Sequence, residues 1–375
     1  MKVAIAQERI ISGGRMVVIN ELVSVLNDMG IVPDILTFDM ALTPEDIQKK
    51  YQKSVDFRIR QLPFDFLHKT PETSRLWFNY LTRRHGKKYD LLINSNNTET
   101  LLTKKHWVIS YVHYPRLDRI RKNMTLHTDG KKSAKKCTIR MAEKVDRFIS
   151  GLLYKSSSIG SNILYVANSR FTKQAIISNF NIRDEDVEVI YPPVDVEEFH
   201  PDREKANQVA TIGRFSSAKR QFEQIKMAEK LPDLKFVIMG FAGKHNAYYN
   251  KCKDYVASRN IENVELCPDL PFSEMVKKLE ASRFFLHTTK NEPFGITTVQ
   301  GIAAGCIPVT HNSGGQKEIV FRDDLRYENH QQAVRIFKKI MNEDLSDLYD
   351  HLAEHIRSYQ SERFRQEFTQ ILDRY

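Results

Sequence analysis

Lys2-Val3-Ala4-Ile5-Ala6-Gln7, the turn Ser12-Gly13-Gly14, the run from Met16 to Met29 and the stretch Val32–Phe38 open the chain and decide its fold. The first piece is a short apolar run bounded by polar residues, which reads as a buried strand. Within the Met16–Met29 run, Val17, Leu22, Val25, Leu26 and Met29 fall on one helical face, and Gly30 supplies the stop. Val32–Phe38 reads as the next strand. Strand, glycine turn, helix and strand make a βαβ unit, whose right-handed crossover requires a parallel sheet.

Outward from that unit the alternation continues. Leu91–Asn94, Val108–Val112, Leu164–Ala167 and Val187–Ile190 read as further short strands, with Phe171–Asn179 as a helix capped by Asn168-Ser169. At Tyr191-Pro192-Pro193-Val194-Asp195 paired prolines interrupt both helix and strand and stiffen a connector, which is also the predicted hinge. A second alternating set then runs through Gln208–Ile212, Phe236–Met239, Val264–Leu266, Phe284–His287 and Ile307–Thr310. Two such halves predict an α/β protein of two Rossmann-like, doubly wound parallel sheets facing a cleft. The expected division is residues 1–190, a linker at 191–203 and residues 204–356, with a helical, charged stretch beyond.

A length of 375 residues suits two domains, and 41% hydrophobic with 28% charged residues is ordinary for a soluble globular protein. No apolar run approaches the ~20 residues that cross a bilayer. The apolar opening is too short for a secretory leader. Cys137, Cys252, Cys267 and Cys306 are scattered, without metal or disulfide spacing, so a cytoplasmic protein with reduced thiols is expected. The net charge of +10 points to an anionic partner. Much of it lies in the basic region Arg116–Arg147, which reads either as a solvated helix face or as a patch for an anionic membrane surface. It lacks interleaved aromatics, which argues against nucleic acid as the partner.

The chemistry concentrates in Asn291-Glu292-Pro293-Phe294-Gly295-Ile296-Thr297-Thr298-Val299-Gln300-Gly301. An acid, an aromatic and a glycine stand just before a run that opens a helix. A helix amino terminus favours a phosphate, and Gly295 allows close backbone approach. Glu292 can accept hydrogen bonds from hydroxyls attached to that phosphate, so the set suits a sugar carried on a nucleotide. Arg214 and Lys219, after the strand ending at Gly213, can grip a diphosphate from two sides. No cluster has metal-ligand spacing, and no nucleophile elbow or P-loop is present.

The Asn291–Gly305 segment resembles the E-x7-E signature of retaining family 4 glycosyltransferases, which have the two-domain GT-B fold. Ser12-Gly13-Gly14, Gly213-Arg214-Phe215-Ser216-Ser217-Ala218-Lys219 and His311-Asn312-Ser313-Gly314-Gly315 match that family in order and spacing. Tyr111-Val112-His113-Tyr114-Pro115, with Leu286-His287-Thr288-Thr289 and Asn312–Gly315, is most similar to its α-1,2-mannosyltransferases acting on lipid-linked oligosaccharides. Gln300 stands where the family has its second glutamate.

The resemblance implies a metal-independent, retaining hexosyl transfer, most simply of mannose from GDP-mannose to a lipid-phosphate-linked saccharide at a cytoplasmic membrane face. Arg214 and Lys219 then stabilise the leaving diphosphate, and Glu292 holds the sugar. The backbone of Phe294, Gly295 and Ile296 lines the sugar and phosphates, and Gln300 accepts from the ribose more weakly than a carboxylate. His113 orients a sugar hydroxyl, while its bland reading is a structural histidine at a strand end. Gly13 and Gly14 floor the diphosphate site, Gly213 leads into the cationic loop, and the last helix, about 357–375, crosses back to the first domain. A UDP-sugar transferase acting on a soluble glycan and a catalytically inactive sugar-nucleotide-binding relative are the alternatives.

Overall fold

Val3-Ala4-Ile5-Ala6 is apolar at every position, as a strand covered on both faces requires. Val3 and Ile5 enter one core cluster while Ala4 and Ala6 enter another, because successive side chains leave opposite faces of a sheet. The computed structural model describes residues 1–10, 13–40, 55–63, 71–96, 107–115, 162–180, 182–201 and 204–375. The basic region Arg116–Arg147 and Ser12 lie outside them. The chain divides into two compact units, one running to Pro193 and including Ser361–Tyr375, the other Val194–Gln360.

In the first unit, β1 (Val3–Ala6) is followed by β2 (Arg9–Ile10), α1 (Gly14–Asp28), β3 (Asp34–Thr37), β4 (Asp39–Met40) and β5 (Arg58–Gln61). Then come α2 (Pro71–Gly86), β6 (Leu91–Asn94), β7 (Trp107–Val112), β8 (Ile163–Ala167), α3 (Arg170–Phe180) and β9 (Val187–Val189). The main sheet has the order β5-β3-β1-β6-β7-β8-β9 and is parallel throughout. Helix α1 ends as its glycine predicts. Gly30 takes φ +73°, its N–H donates to Asn27 O, and Ile31 N–H donates to Leu26 O, closing two of the four carbonyls a helix end leaves open. Strand β3 starts only after Pro33, which has no N–H to donate. The edge strand β5, Arg-Ile-Arg-Gln, is too polar to announce itself in sequence, and its charges suit an edge.

The second unit contains β10 (Ala206–Ile212), α4 (Gln221–Ala228), β11 (Lys235–Gly240), α5 (Ala247–Ser258), β12 (Val264–Pro268), α6 (Phe272–Glu280) and β13 (Ser282–His287). It continues through α7 (Ile296–Ala303), β14 (Ile307–His311), α8 (Gln316–Ile319), β15 (Arg326–Tyr327), α9 (His330–Ile340) and α10 (Ser346–Ile356). Its parallel sheet has the order β12-β11-β10-β13-β14-β15. Strand β10 is central, so the loop that follows it and the loop that follows its neighbour β13 open side by side at the carboxyl edge.

The last helix, α11 (Ser361–Leu372), belongs to the first unit. Phe364, Phe368, Ile371 and Leu372 join Val18, Leu22 and Leu26 of α1 in one core cluster. Arg365 caps that packing with an ion pair to the buried Glu21 and a bond to Ser24. Among the described residues no helix is long and apolar enough to cross a membrane.

Candidate active site

The site in the second unit is assembled from three loops at the carboxyl edge of its sheet. After β10, residues Gly213–Arg220 turn back into α4. Gly213 and Gly240 allow this loop to lie against the one after β11: a Cβ on Gly240 would fall 1.9 Å from Gly213 O. Phe215 N–H donates to Phe241 O at 2.8 Å, and the buried amide of Gln221 donates to the carbonyls of Gly213 and Arg214. Arg214 is exposed, and its guanidinium makes no hydrogen bond or ion pair among the described residues.

Lys219 has the opposite situation. Its Nζ donates to Glu292 Oε2 at 2.7 Å, with both side chains partly buried. His287 Nε2 lies 3.7 Å from the same oxygen. Burial pushes the His287 imidazole down to about 4, the carboxylate of Glu292 opposing that shift, so at neutral pH the ring is uncharged. Lys219 therefore answers the carboxylate's charge, and the neutral His287 ring does not.

Glu292 is held from behind by the turn after β14. Asn291 N–H donates to Ser313 Oγ at 2.8 Å, Gly315 N–H donates to Glu292 O at 2.8 Å, and Glu292 bridges to Gly314 as an isolated β pair. A Cβ on Gly314 would lie 2.3 Å from Glu292 O, and one on Gly315 would lie 2.3 Å from Pro293 O. Both glycines are thus required by close backbone approach, and Gly314 also takes φ +74°.

Gly295 is the N-cap of α7, with φ 124° and ψ 54°. Its missing Cβ leaves room for the fully buried Gln316, whose Nε2 would stand 2.2 Å from such an atom. The amide of Gln316, Nδ1 of His287 and Oγ1 of Thr298 are buried polar atoms without partners among the described residues. Unpaired buried groups of this kind are costly. Phe294 turns its ring inward, edge-on to Tyr359 with centroids 5.2 Å apart, and is buried. Ile296 opens α7, and Gln300 lies one turn on, half-buried, with no side-chain bond among the described residues.

The remaining predicted residues are in the first unit. His113 follows β7 and its Nε2 is 3.3 Å from Ser95 Oγ, with its ring 5.2 Å from that of Tyr111. Gly13 is the exposed N-cap of α1 at φ 145°, Gly14 is that helix's first residue, and a Cβ on Gly13 would meet nothing within 4 Å. The structure brings Lys219 and Glu292 together, and places Gly13, Gly14 and His113 at two loops of the other unit.

Residues 195–359 match the family model described as glycosyl transferases group 1. That match spans nearly the whole of the second unit. Along the chain, the sequence is 28% identical over 231 residues to a mouse (Mus musculus) GDP-Man:Man(3)GlcNAc(2)-PP-Dol alpha-1,2-mannosyltransferase, covering 56% of this chain and 46% of that protein. The human protein of the same name is 29% identical over 234 residues, with the same coverage. The chain therefore spans about half the length of the curated relatives it matches. Among solved structures, Anabaena Alr3699/HepE in complex with UDP and glucose superposes with a TM-score of 0.72 at 15% identity, covering both chains completely. Sucrose-phosphate synthase from Thermosynechococcus elongatus gives 0.71 at 13% identity, over 100% of this chain and 98% of the other. The fold is accordingly of the GT-B type, with two Rossmann-like parallel α/β domains.

Several residues of the second unit that shape this site carried no readable signal. Gln221, Gln224, Thr288 and Gln316 look like ordinary polar residues in sequence, and only their burial and partners mark them. For Gln316, its place directly after Gly314-Gly315 was the one available hint.

Proposed function

We propose that this chain transfers a hexose from a nucleoside-diphosphate sugar to a hydroxyl acceptor. The observation that carries the reading is the Lys219–Glu292 pair beside the amino end of α7, inside a glycosyl transferases group 1 domain. A cation suited to a diphosphate and a carboxylate suited to sugar hydroxyls stand within one hydrogen bond of each other. A ligand with a phosphate next to a sugar matches that juxtaposition, and the helix amino end adds a favourable field for the phosphate.

In this reading Arg214 and Lys219 stabilise the diphosphate as it leaves, and Glu292 orients the sugar. Gly213 shapes the cationic loop. Phe294, Gly295 and Ile296 present backbone N–H groups, and Gln300 accepts from the ribose. By the resemblance, Gly13 and Gly14 floor the diphosphate and His113 orients a hydroxyl of the transferred sugar. Transfer proceeds with retention: the bond from the anomeric carbon to phosphate oxygen breaks and the acceptor oxygen bonds on the same face. The acceptor's proton passes to the departing phosphate, so the protein need supply neither a covalent nucleophile nor a metal.

Two donors are supported by different observations. The curated relatives are named for GDP-mannose and a dolichyl-diphosphate saccharide, which favours a mannosyl donor and a lipid-linked acceptor at a membrane surface, but they are matched over about half their length. The structures matched over their full length include one holding UDP and glucose, which favours a UDP-sugar donor. Calorimetric titration with GDP, UDP, GDP-mannose and UDP-glucose, without divalent metal, separates them. Selective binding of a guanine ligand supports the mannosyl donor, and preference for uridine ligands supports the other. Binding of a sugar nucleotide with no transfer to any acceptor in a broad panel identifies an inactive relative. Absence of binding to all four ligands refutes the reading.

A further inference from the structure

Lys219 is held at both ends by one short segment of chain. Its ammonium meets the carboxylate of Glu292, and its carbonyl accepts a hydrogen bond from Thr288 Oγ1 at 2.7 Å. Thr288 follows β13 directly and stands four residues before Glu292. The Thr288 hydroxyl accepts in turn from Gln224 Nε2 at 2.8 Å, and Gln224 Oε1 accepts from Thr211 Oγ1 at 3.1 Å. Thr211, Gln224 and Thr288 are all buried, on β10, on α4 and just past β13 respectively. A hydroxyl has one proton to donate, and Thr288 directs it at Lys219. A second tie runs from Arg220 Nη1 to Thr288 O at 3.3 Å, and Arg220 takes the left-handed conformation, φ 58°.

The Gly213–Arg220 loop does not need Thr288 to close. Lys219 N–H and Arg220 N–H both reach Ser216 O, which completes its turn locally. What the buried chain adds is a fixed position of Lys219 relative to the segment that carries Glu292. Lysine has a long, flexible stem, and anchoring its backbone to the same segment that holds its ammonium removes freedom that ligand binding would otherwise have to remove.

We propose that Thr288, supported by Gln224, is a positioning residue that sets Lys219 for the diphosphate of the donor. The inference rests on the reading in which Lys219 grips that diphosphate. Thr288 touches neither substrate nor reacting atoms.

The test compares Thr288→Val, which removes the hydroxyl at nearly constant shape, with Thr288→Ser, which restores it. Lys219→Ala serves as reference. Affinity is measured for inorganic pyrophosphate and for whichever of GDP or UDP the wild type binds, and kcat and KM are measured with the corresponding sugar nucleotide. Thr288→Val is expected to weaken both ligands roughly 10-fold, the scale of one charge-assisted contact, and to lower kcat as well as raise KM. Thr288→Ser is expected to stay within about twofold of wild type. A purely structural role would lower the melting temperature and leave both constants of the folded protein unchanged. Gln224→Met provides a second route if Thr288→Val does not fold, with weakening of the same ligands expected. Wild-type affinity in the folded Thr288→Val or Gln224→Met protein, with binding lost in Lys219→Ala, overturns the positioning role alone. Wild-type affinity in Lys219→Ala overturns the parent reading, and the inference falls with it.

Discussion

Lys219 Nζ and Glu292 Oε2 lie 2.7 Å apart, although 72 residues separate the two positions in the chain. With no donor bound, each screens the charge of the other. In the proposed reading a sugar nucleotide shares or replaces this contact, offering its phosphate to the lysine and its hydroxyls to the carboxylate. The pair is partly exposed, so its direct contribution to stability is small.

Removal of either partner should therefore separate binding from turnover. Lys219→Ala is expected to weaken nucleoside-diphosphate binding by roughly 10- to 100-fold, the loss of one charge-assisted contact. Glu292→Ala is expected to reduce transfer at least about 100-fold while nucleoside-diphosphate affinity holds or improves, because the lysine is released to the phosphate. Calorimetry and a transfer assay on the two variants check this. Full transfer activity in Glu292→Ala would falsify its role.

Gly314 is predicted to be intolerant of any side chain. In Gly314→Ala the new methyl would lie 2.3 Å from Glu292 O, backbone against backbone, at a positive φ. The expected cost is about 1–3 kcal/mol of stability, with displacement of the Glu292 loop and loss of sugar-nucleotide binding. Urea denaturation and a binding titration read the two effects separately. Gly13→Ala has no such contact, and a comparable loss of stability there would be unexpected.

Acid should destabilise the protein through two buried imidazoles before its carboxylates titrate. Burial pushes His287 and His311 down to about 4 from their ordinary value of 6.5, His311 also feeling the nearby cations Lys290 and Arg220. Between those values the unfolded chain binds the additional protons, so stability is fully present above pH 6.5 and falls as pH drops toward 4. Each pH unit within that window costs up to about 1.4 kcal/mol per imidazole. Denaturation midpoints at pH 7 and pH 5 should converge in His287→Gln relative to wild type. An unchanged difference between the two midpoints would show that His287 is not responsible.

The carboxyl-terminal helix should be indispensable to the first unit. Phe368 is fully buried against α1 and the sheet, and its replacement by alanine leaves a large cavity. Phe368→Ala is expected to cost about 3–5 kcal/mol, enough to populate the unfolded first unit under mild denaturant. Hydrogen exchange of the α1 amides measures the loss directly. Protection equal to wild type would mean that α11 adds little to that core.

The opening strand, the helix closed by Gly30 and the alternation of strands with helices were all legible in the sequence, because each depends on local periodicity and on single residues with special backbone freedom. Doubly wound sheets follow from that alternation, as do the glycine and cation positions at strand ends. The short polar strand β5 was not legible, since nothing in Arg58-Ile59-Arg60-Gln61 alternates cleanly and pairing with β3 alone makes it a strand. Lys219 and Glu292 could each be singled out from their neighbours in sequence, but not as a pair. Their contact requires β10 and β13 to be adjacent and Gly314 to let the Glu292 backbone approach. The same holds for the chain from Thr211 through Gln224 and Thr288 to Lys219, whose members become informative only when buried together. Local preferences are written residue by residue and can be read there; a hydrogen bond between distant residues exists only once packing has brought them within 3 Å and excluded the water that would otherwise compete for it.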